Sequence, residues 1–187
     1  MDKLTLASTI KWFDRGMIGP YSRRRFRPGN CRHKGRLIPC QAGFHCVTVM
    51  QAIQWIRAEV SVVDILGNQI EHQDKIITDH LTIHPILETW TLVAMIGFAT
   101  DCVEHITTNG AIPDHPNGFD IRALLGDVRN AATNFEWDEC SKYVRGLIDI
   151  ADGLRARRPD GTWDYDAYHD ERRWQANRLL DYLNGEA

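Results

Sequence analysis

With 187 residues, 43% of them hydrophobic, the chain is long enough to bury a real core and too apolar to be a disordered tail. Its charge is unevenly placed: Met1 to Leu37 holds ten Lys/Arg against two Asp, whereas from Ile38 onward twelve Lys/Arg meet 23 Asp/Glu, for a net −3 overall. A chain polarised in this way can offer a cationic face to a partner while staying acidic as a whole. Five cysteines, at 31, 40, 46, 102 and 140, fit free thiols in a reducing compartment better than a disulfide framework. The opening Met1-Asp-Lys-Leu-Thr-Leu-Ala-Ser lacks the apolar run of a secretory signal, so an intracellular protein is expected.

In chain order, short runs rich in β-branched and aromatic residues alternate with Gly and Pro up to Pro85. They predict strands over Leu4 to Phe13, Arg36 to Ile38, Glu59 to Leu66 and Lys75 to Ile83. Between them, Thr48 to Ala58 predicts an amphipathic helix with Thr48 as N-cap and Val49, Ala52, Ile53 and Ile56 on one face. Pro85 suits a first helical turn, and helices are predicted at about 86–107, 120–133, 136–157 and 164–184. Asn109-Gly110, Pro113 and Pro116 break the first from the second, and Pro159-Asp-Gly161 breaks the third from the fourth. The apolar Leu92 to Ala99 is short and flanked by acids, so it reads as a buried helix; no membrane partner is expected. In the last helix Trp174, Leu179, Tyr182 and Leu183 line one side, with Glu171, Arg172, Arg173 and Arg178 largely outside it. The expected fold is α+β: a small mixed module at 1–84 with a basic loop, then a mainly helical module at 85–187 whose amphipathic last helix docks on its neighbours or on a second copy.

The basic loop is the first candidate site. Arg23, Arg24, Arg25, Arg27, Arg32, Lys34 and Arg36 fall within fourteen residues, beside Tyr21, Phe26 and His33. Guanidinium groups bind phosphate and carboxylate bidentately and aromatics stack on bases, so a nucleic acid or nucleotide, an acidic protein surface, and an internal clamp against the acidic helices all remain open. Cys31, His33, Cys40, His45 and Cys46 are ligand types that zinc accepts, but they lack paired knuckle spacing, and on an extended strand His45 and Cys46 point apart; no metal is expected. Cys40 or Cys46 with His45 does not amount to a thiol nucleophile without spatial pairing. Asp164, Asp166, Asp170 and Glu171 read as the favourable charges of a helix N-terminus. No P-loop, Rossmann fingerprint, H-E-x-x-H or G-x-S-x-G element is present, so no catalytic residue and no cofactor are assigned.

Three segments together resemble a group of tailed-bacteriophage and prophage proteins. These are Trp12-Phe13 leading to Phe26-Arg-Pro-Gly29, then Cys40-Gln-Ala-Gly-Phe-His-Cys46 with its following helix, then Ala58-Glu-Val60 through Asp74-Lys-Ile-Ile-Thr-Asp-His-Leu-Thr-Ile83. The closing Glu171-Arg-Arg-Trp-Gln-Ala-Asn-Arg-Leu-Leu-Asp-Tyr-Leu183 is similar to the last helix of that group. The resemblance implies an accessory protein that binds a host bacterial component, to blunt a defence or redirect host machinery, in the host cytoplasm or the virion. A virion structural component is a further alternative.

Gly43-Phe-His-Cys46, followed by Thr48 and Ala52-Ile-Gln-Trp-Ile56, also resembles the strand-and-helix element of ADP-ribosyltransferases. That likeness implies a nucleotide or NAD site centred on His45. The family's first-strand His or Arg could correspond only to Lys11 or Arg15, and neither Glu71 nor Glu88 matches its catalytic Glu. Binding is therefore the expectation carried forward, without transfer.

Overall fold

The computed structural model describes residues 3–109, 121–158 and 160–187. Within them, seven strands form one antiparallel sheet: β1 Thr9–Phe13, β2 Gly29–Arg32, β3 Phe44–Thr48, β4 Glu59–Ile65, β5 Gln69–His72, β6 Lys75–Thr78 and β7 His80–Ile86. Their spatial order is β2-β7-β4-β1-β3-β6-β5. A 3-10 helix, Val49–Trp55, follows β3, and the second half supplies α1 Leu92–Asn109, α2 Ile121–Thr133, α3 Trp137–Ala156 and α4 Tyr165–Asn184. The fold is α+β, strands first and helices after.

Period-two alternation sends the residues of β1 to two different cores. Ile10 and Trp12 join Val47, Val60 and residues of all four helices in the larger cluster, so the helices and one face of the sheet share a single apolar core. Phe13 points the other way, to Phe26, Phe44, Val63, Leu81 and Ile83. That second face is roofed by the basic segment itself. Phe26 is 7% exposed and its ring lies 5.5 Å from Phe13 and 6.2 Å from Phe44. Burying a phenylalanine is worth about 2–3 kcal/mol, enough to pin a segment that is otherwise polar.

Local chemistry explains where several elements begin and end. Thr48 caps the 3-10 helix in a reciprocal box with Gln51, and Val49, Ala52, Ile53 and Ile56 are all buried as their spacing requires. Asp164 caps α4 by accepting from the Ala167 N–H, and Gly185 ends it at φ 72°, a left-handed position that glycine adopts without steric cost. On α1, Gly97 leaves room for Tyr182, whose hydroxyl would sit 2.5 Å from an added Cβ and which donates to Asp101 at 2.7 Å.

Several predicted elements are corrected. The segment Thr48 to Ala58 is a 3-10 helix ending at Trp55, because Ile56 already takes the extended ψ of 132° that leads into β4. Lys75 to Ile83 is two strands broken at Asp79, and Gly29–Arg32 and Gln69–His72 are strands not foreseen. Both unforeseen strands lie at the edges of the sheet and are almost wholly exposed, so they lack the apolar alternation that marks a half-buried strand. Arg36 to Ile38 is not a strand; Ile38 makes only an isolated bridge to Ala42. Pro85 lies inside β7 rather than opening a helix. It sits beyond the last β2 partner and beside the irregular β4 register at Ser61/Val63, where no ladder donor is needed. The predicted loop positions 110–119 and Pro159 lie outside the described residues.

Candidate functional site: a cationic, aromatic split in the sheet

β1 and β3 pair only at Thr9↔Thr48 and Ile10↔Val47, while on its other side β1 stays in register with β4 through Phe13. Beyond Ile10 the two neighbours part, and β3 continues along β6. Lys11 spans the opening: its Nζ donates to the His45 carbonyl at 2.6 Å, replacing a ladder bond with a side-chain bond. The split opens into a cavity of about 320 Å³ lined by Lys11, Trp12, His45, Trp55, Arg57 and Lys75 among others, with Pro20, Tyr21 and Cys40 of the basic segment forming one wall.

The walls are aromatic and cationic. Tyr21 meets Trp55 edge-on at 6.2 Å, and Trp55 donates from Nε1 to the Asp74 carbonyl. The Lys75 ammonium lies 5.0 Å from the Trp55 ring centroid. Lys75 pairs with Asp74 at 3.1 Å and Arg57 with Asp14 at 3.6 Å, so each has a carboxylate neighbour that is not part of the cavity wall. Lys11 makes no ion pair with a carboxylate among the described residues. It is 7% exposed, with its Nζ 5.6 and 5.2 Å from the Phe13 and Phe26 rings. Burial pushes its ammonium down to about 8.

His45 is held from the same wall. Its Nε2 accepts from the Cys40 N–H at 3.1 Å, so the neutral ring carries its proton on Nδ1. Cys40 takes φ 61° to make that contact, a conformation that costs a non-glycine residue energy. Burial first, then the positive charges of Lys11 and Lys75, lowers the His45 pKa, which keeps the ring neutral at pH 7. Cys46 lies on the opposite face of β3 from His45, beside Lys11, bonded to the Ile76 carbonyl, and burial pushes its thiol up to about 11. The two neighbouring side chains thus point to opposite faces, as alternation requires. No group of three or more His, Cys, Asp or Glu among the described residues is placed to hold a metal ion.

The arginine segment lies on the surface beside this cavity. Arg23, Arg24, Arg25, Arg27, Arg32, Lys34 and Arg36 are all exposed. Arg23 pairs with Asp14 at 3.1 Å, Arg24 lies over the Phe26 ring, and Arg32 reaches the His80 ring nitrogen at 3.5 Å. Among the described residues none of the seven forms an ion pair with Asp164 to Glu171; Asp164 pairs instead with Arg158.

A second polar cluster lies between α1, α3 and α4, and it corrects the expected face of the last helix. Glu171 is 1% exposed and Gln175 fully buried, with Gln175 Nε2 donating to Glu171 Oε1 at 3.1 Å. Arg172 contacts the buried Asp152 and lies 3.6 Å from Asp149, while His105 stacks on Trp174 at 3.7 Å and reaches Glu171 at 3.3 Å. Burial, only partly offset by Arg172, pushes Asp152 up to about 7, and burial likewise raises Glu171.

Sequence reasoning singled out His45 and the arginines and left out Trp55, Arg57 and Lys75. The available signal was Lys11, a charge in the middle of the apolar run Thr-Ile-Lys-Trp-Phe. Fold and site together define an α+β protein with a small-molecule-sized cationic cavity at a split in an antiparallel sheet. Comparison with protein-family models, with curated proteins and with solved structures gives no match. No helix among the described residues is long and apolar enough to cross a membrane.

Proposed function

We propose that the protein is a binding protein for a phosphate- or carboxylate-bearing ring compound, nucleotides foremost, held in the split between β1 and β3. The observation that carries this reading is Lys11, a buried cation without a carboxylate partner, on the wall of an open cavity whose other walls are aromatic. Isolated buried charge is costly, and an anionic ligand offsets that cost where no side chain does. Tyr21 and Trp55 supply the faces for a flat ring, and Arg57 and Lys75 supply additional donors for its anionic group. Among the described residues no Asp or Glu lines the cavity, so the reading is one of recognition, without an acid/base carboxylate for transfer. It is tested by thermal shift against AMP, ATP and NAD beside adenosine and inorganic phosphate. Stabilisation by a nucleotide that is lost in Trp55→Ala and Lys75→Glu is the expected result; no stabilisation by any of the five would defeat it.

A second reading has its own observation: the seven cations of the basic segment are exposed and unclamped by the acidic helices. It makes the segment the docking surface for a host component of an accessory protein, as the bacteriophage resemblance implies. Pull-down from bacterial lysate with nuclease present, comparing wild type with an Arg23/24/25/27→Glu variant, tests it. One stoichiometric protein retained by wild type and lost by the variant is expected, whereas equal recovery from both would remove the segment from the account.

A further inference from the structure

We propose that Lys11 is a covalent docking residue, forming a reversible imine with a carbonyl-bearing anion seated in the β1/β3 split. The inference rests on the cavity being a ligand site and adds to that reading the chemical class of the ligand: an aldehyde or ketone that carries both a ring and a phosphate or carboxylate.

Three features of the geometry support it. Lys11 lies on the cavity wall, so an amine and a bound carbonyl can meet. Among the described residues its Nζ makes one hydrogen bond, to the His45 carbonyl, a contact that either the ammonium or the free amine can make. It also lies against the Phe13 and Phe26 rings, with no carboxylate to hold it in the charged form. Desolvation of a lysine in such surroundings is a known route to a nucleophilic amine. The charges acting on it come from Cys46 of β3 and Cys31 of β2, and His45, Arg57 and Lys75 share the cavity wall with it. None of them is a carboxylate. The other four lysines, Lys3, Lys34, Lys75 and Lys142, differ in their setting: Lys34 is exposed, and Lys3, Lys75 and Lys142 each pair with an acid.

In the step itself the free amine of Lys11 attacks the carbonyl carbon. The C–N bond forms as the π pair moves to oxygen, and proton transfer from nitrogen to oxygen through solvent gives a carbinolamine. Loss of that hydroxyl as water, with its proton drawn from solvent and the nitrogen lone pair forming the C=N bond, leaves the protonated imine, which returns its N–H proton to solvent to give the neutral form. Water reverses the sequence, and no electrons are exchanged.

Pyridoxal 5′-phosphate, a ring aldehyde with a phosphate, is the probe, and pyridoxine 5′-phosphate, which has an alcohol in place of the aldehyde, is its control. After borohydride reduction of the mixture, intact mass and peptide mapping of the wild-type protein read the site directly. The expected result is one adduct per chain, on Lys11, formed at least tenfold faster than on Lys3, Lys34 or Lys142 and half-maximal in rate near pH 8. Competition by pyridoxine 5′-phosphate and loss of the adduct in Lys11→Arg complete the expected pattern, and the wild-type mapping stands even where that variant folds poorly. Binding of pyridoxine 5′-phosphate with Lys11 unlabelled would overturn the imine and leave the pocket reading intact. Lys11 unlabelled, with neither ring phosphate nor any nucleotide bound, would overturn both.

Discussion

The molecule buries ionisable groups in two places, and it treats them in opposite ways. Between the helices, Asp152 and Glu171 are enclosed with Arg172, Gln175 and His105 around them, so acid and base are supplied by the same chain. In the sheet, Lys11 is also buried but opens onto a cavity, and among the described residues its hydrogen bond goes to a backbone carbonyl and it pairs with no carboxylate. The first arrangement pairs its charges within the chain and links α1, α3 and α4, although among the described residues Asp152 Oδ1 and Gln175 Oε1 are left without hydrogen-bond partners. The second is incomplete in charge, and an incomplete buried charge beside an open cavity is what a ligand site requires.

Removing the cation from the closed cluster should give the largest effect. At pH 9, where Asp152 is ionised, Arg172→Ala leaves it buried without its ion-pair partner and should cost about 3 kcal/mol, read from the urea midpoint. Phe26→Ala, which unpins the basic segment from the second core, should cost about 3 kcal/mol by the same measurement and should also abolish ligand binding, because Pro20 and Tyr21 belong to that segment.

The two sites should next separate by pH. Asp152 has a raised folded pKa, about 7 against 3.8 unfolded, so its stabilising contribution is full below pH 4 and is lost as pH rises through 7. Lys11 has a lowered one, about 8 against 10.5, so the unfolded chain holds its proton more tightly between those values and stability rises from pH 8 towards 10.5. A thermal-melt series should therefore show a fall from pH 5 to 7 that Asp152→Asn flattens, and an alkaline rise that Lys11→Met removes. At pH 7 Lys11→Met should raise the melting temperature by about 3 °C while ligand binding is lost, since it exchanges an unmatched buried charge for an apolar side chain. A lower melting temperature in that variant would mean that the bond to His45 outweighs the buried charge. The smallest effect belongs to the exposed surface: Arg27→Glu and Arg36→Glu should move stability by no more than about 0.5 kcal/mol.

The fold was legible where apolar spacing is local. Glu59 to Leu66, the faces of the 3-10 helix and the four later helices can all be read from periodicity. The edge strands could not, because Gly29–Arg32 and Gln69–His72 bury almost nothing and are held by ladder bonds to β7 and β6 alone. Glu171 was misread because a glutamate among arginines at a helix start looks like surface chemistry, and only the packing of α4 on α1 and α3 shows that it faces inward. The candidate site was half legible. His45 and the basic segment could be marked from local pattern, but Lys11, Trp55, Arg57 and Lys75 come from four places along the chain and meet only because β1 and β3 part after two residue pairs. No periodicity in the sequence encodes where two strands separate.

The central claim, that the split in the sheet is a site for a ring-bearing anion, is tested most directly by calorimetric titration of AMP into wild type and into Lys75→Glu, at two salt concentrations. The account predicts one site per chain in wild type, weakened by added salt and weakened at least tenfold by the substitution, with the free variant melting lower because it loses the ion pair to Asp74 but still cooperatively above the titration temperature. Equal affinity in both proteins, or heat that is indifferent to salt, would place binding elsewhere and contradict it.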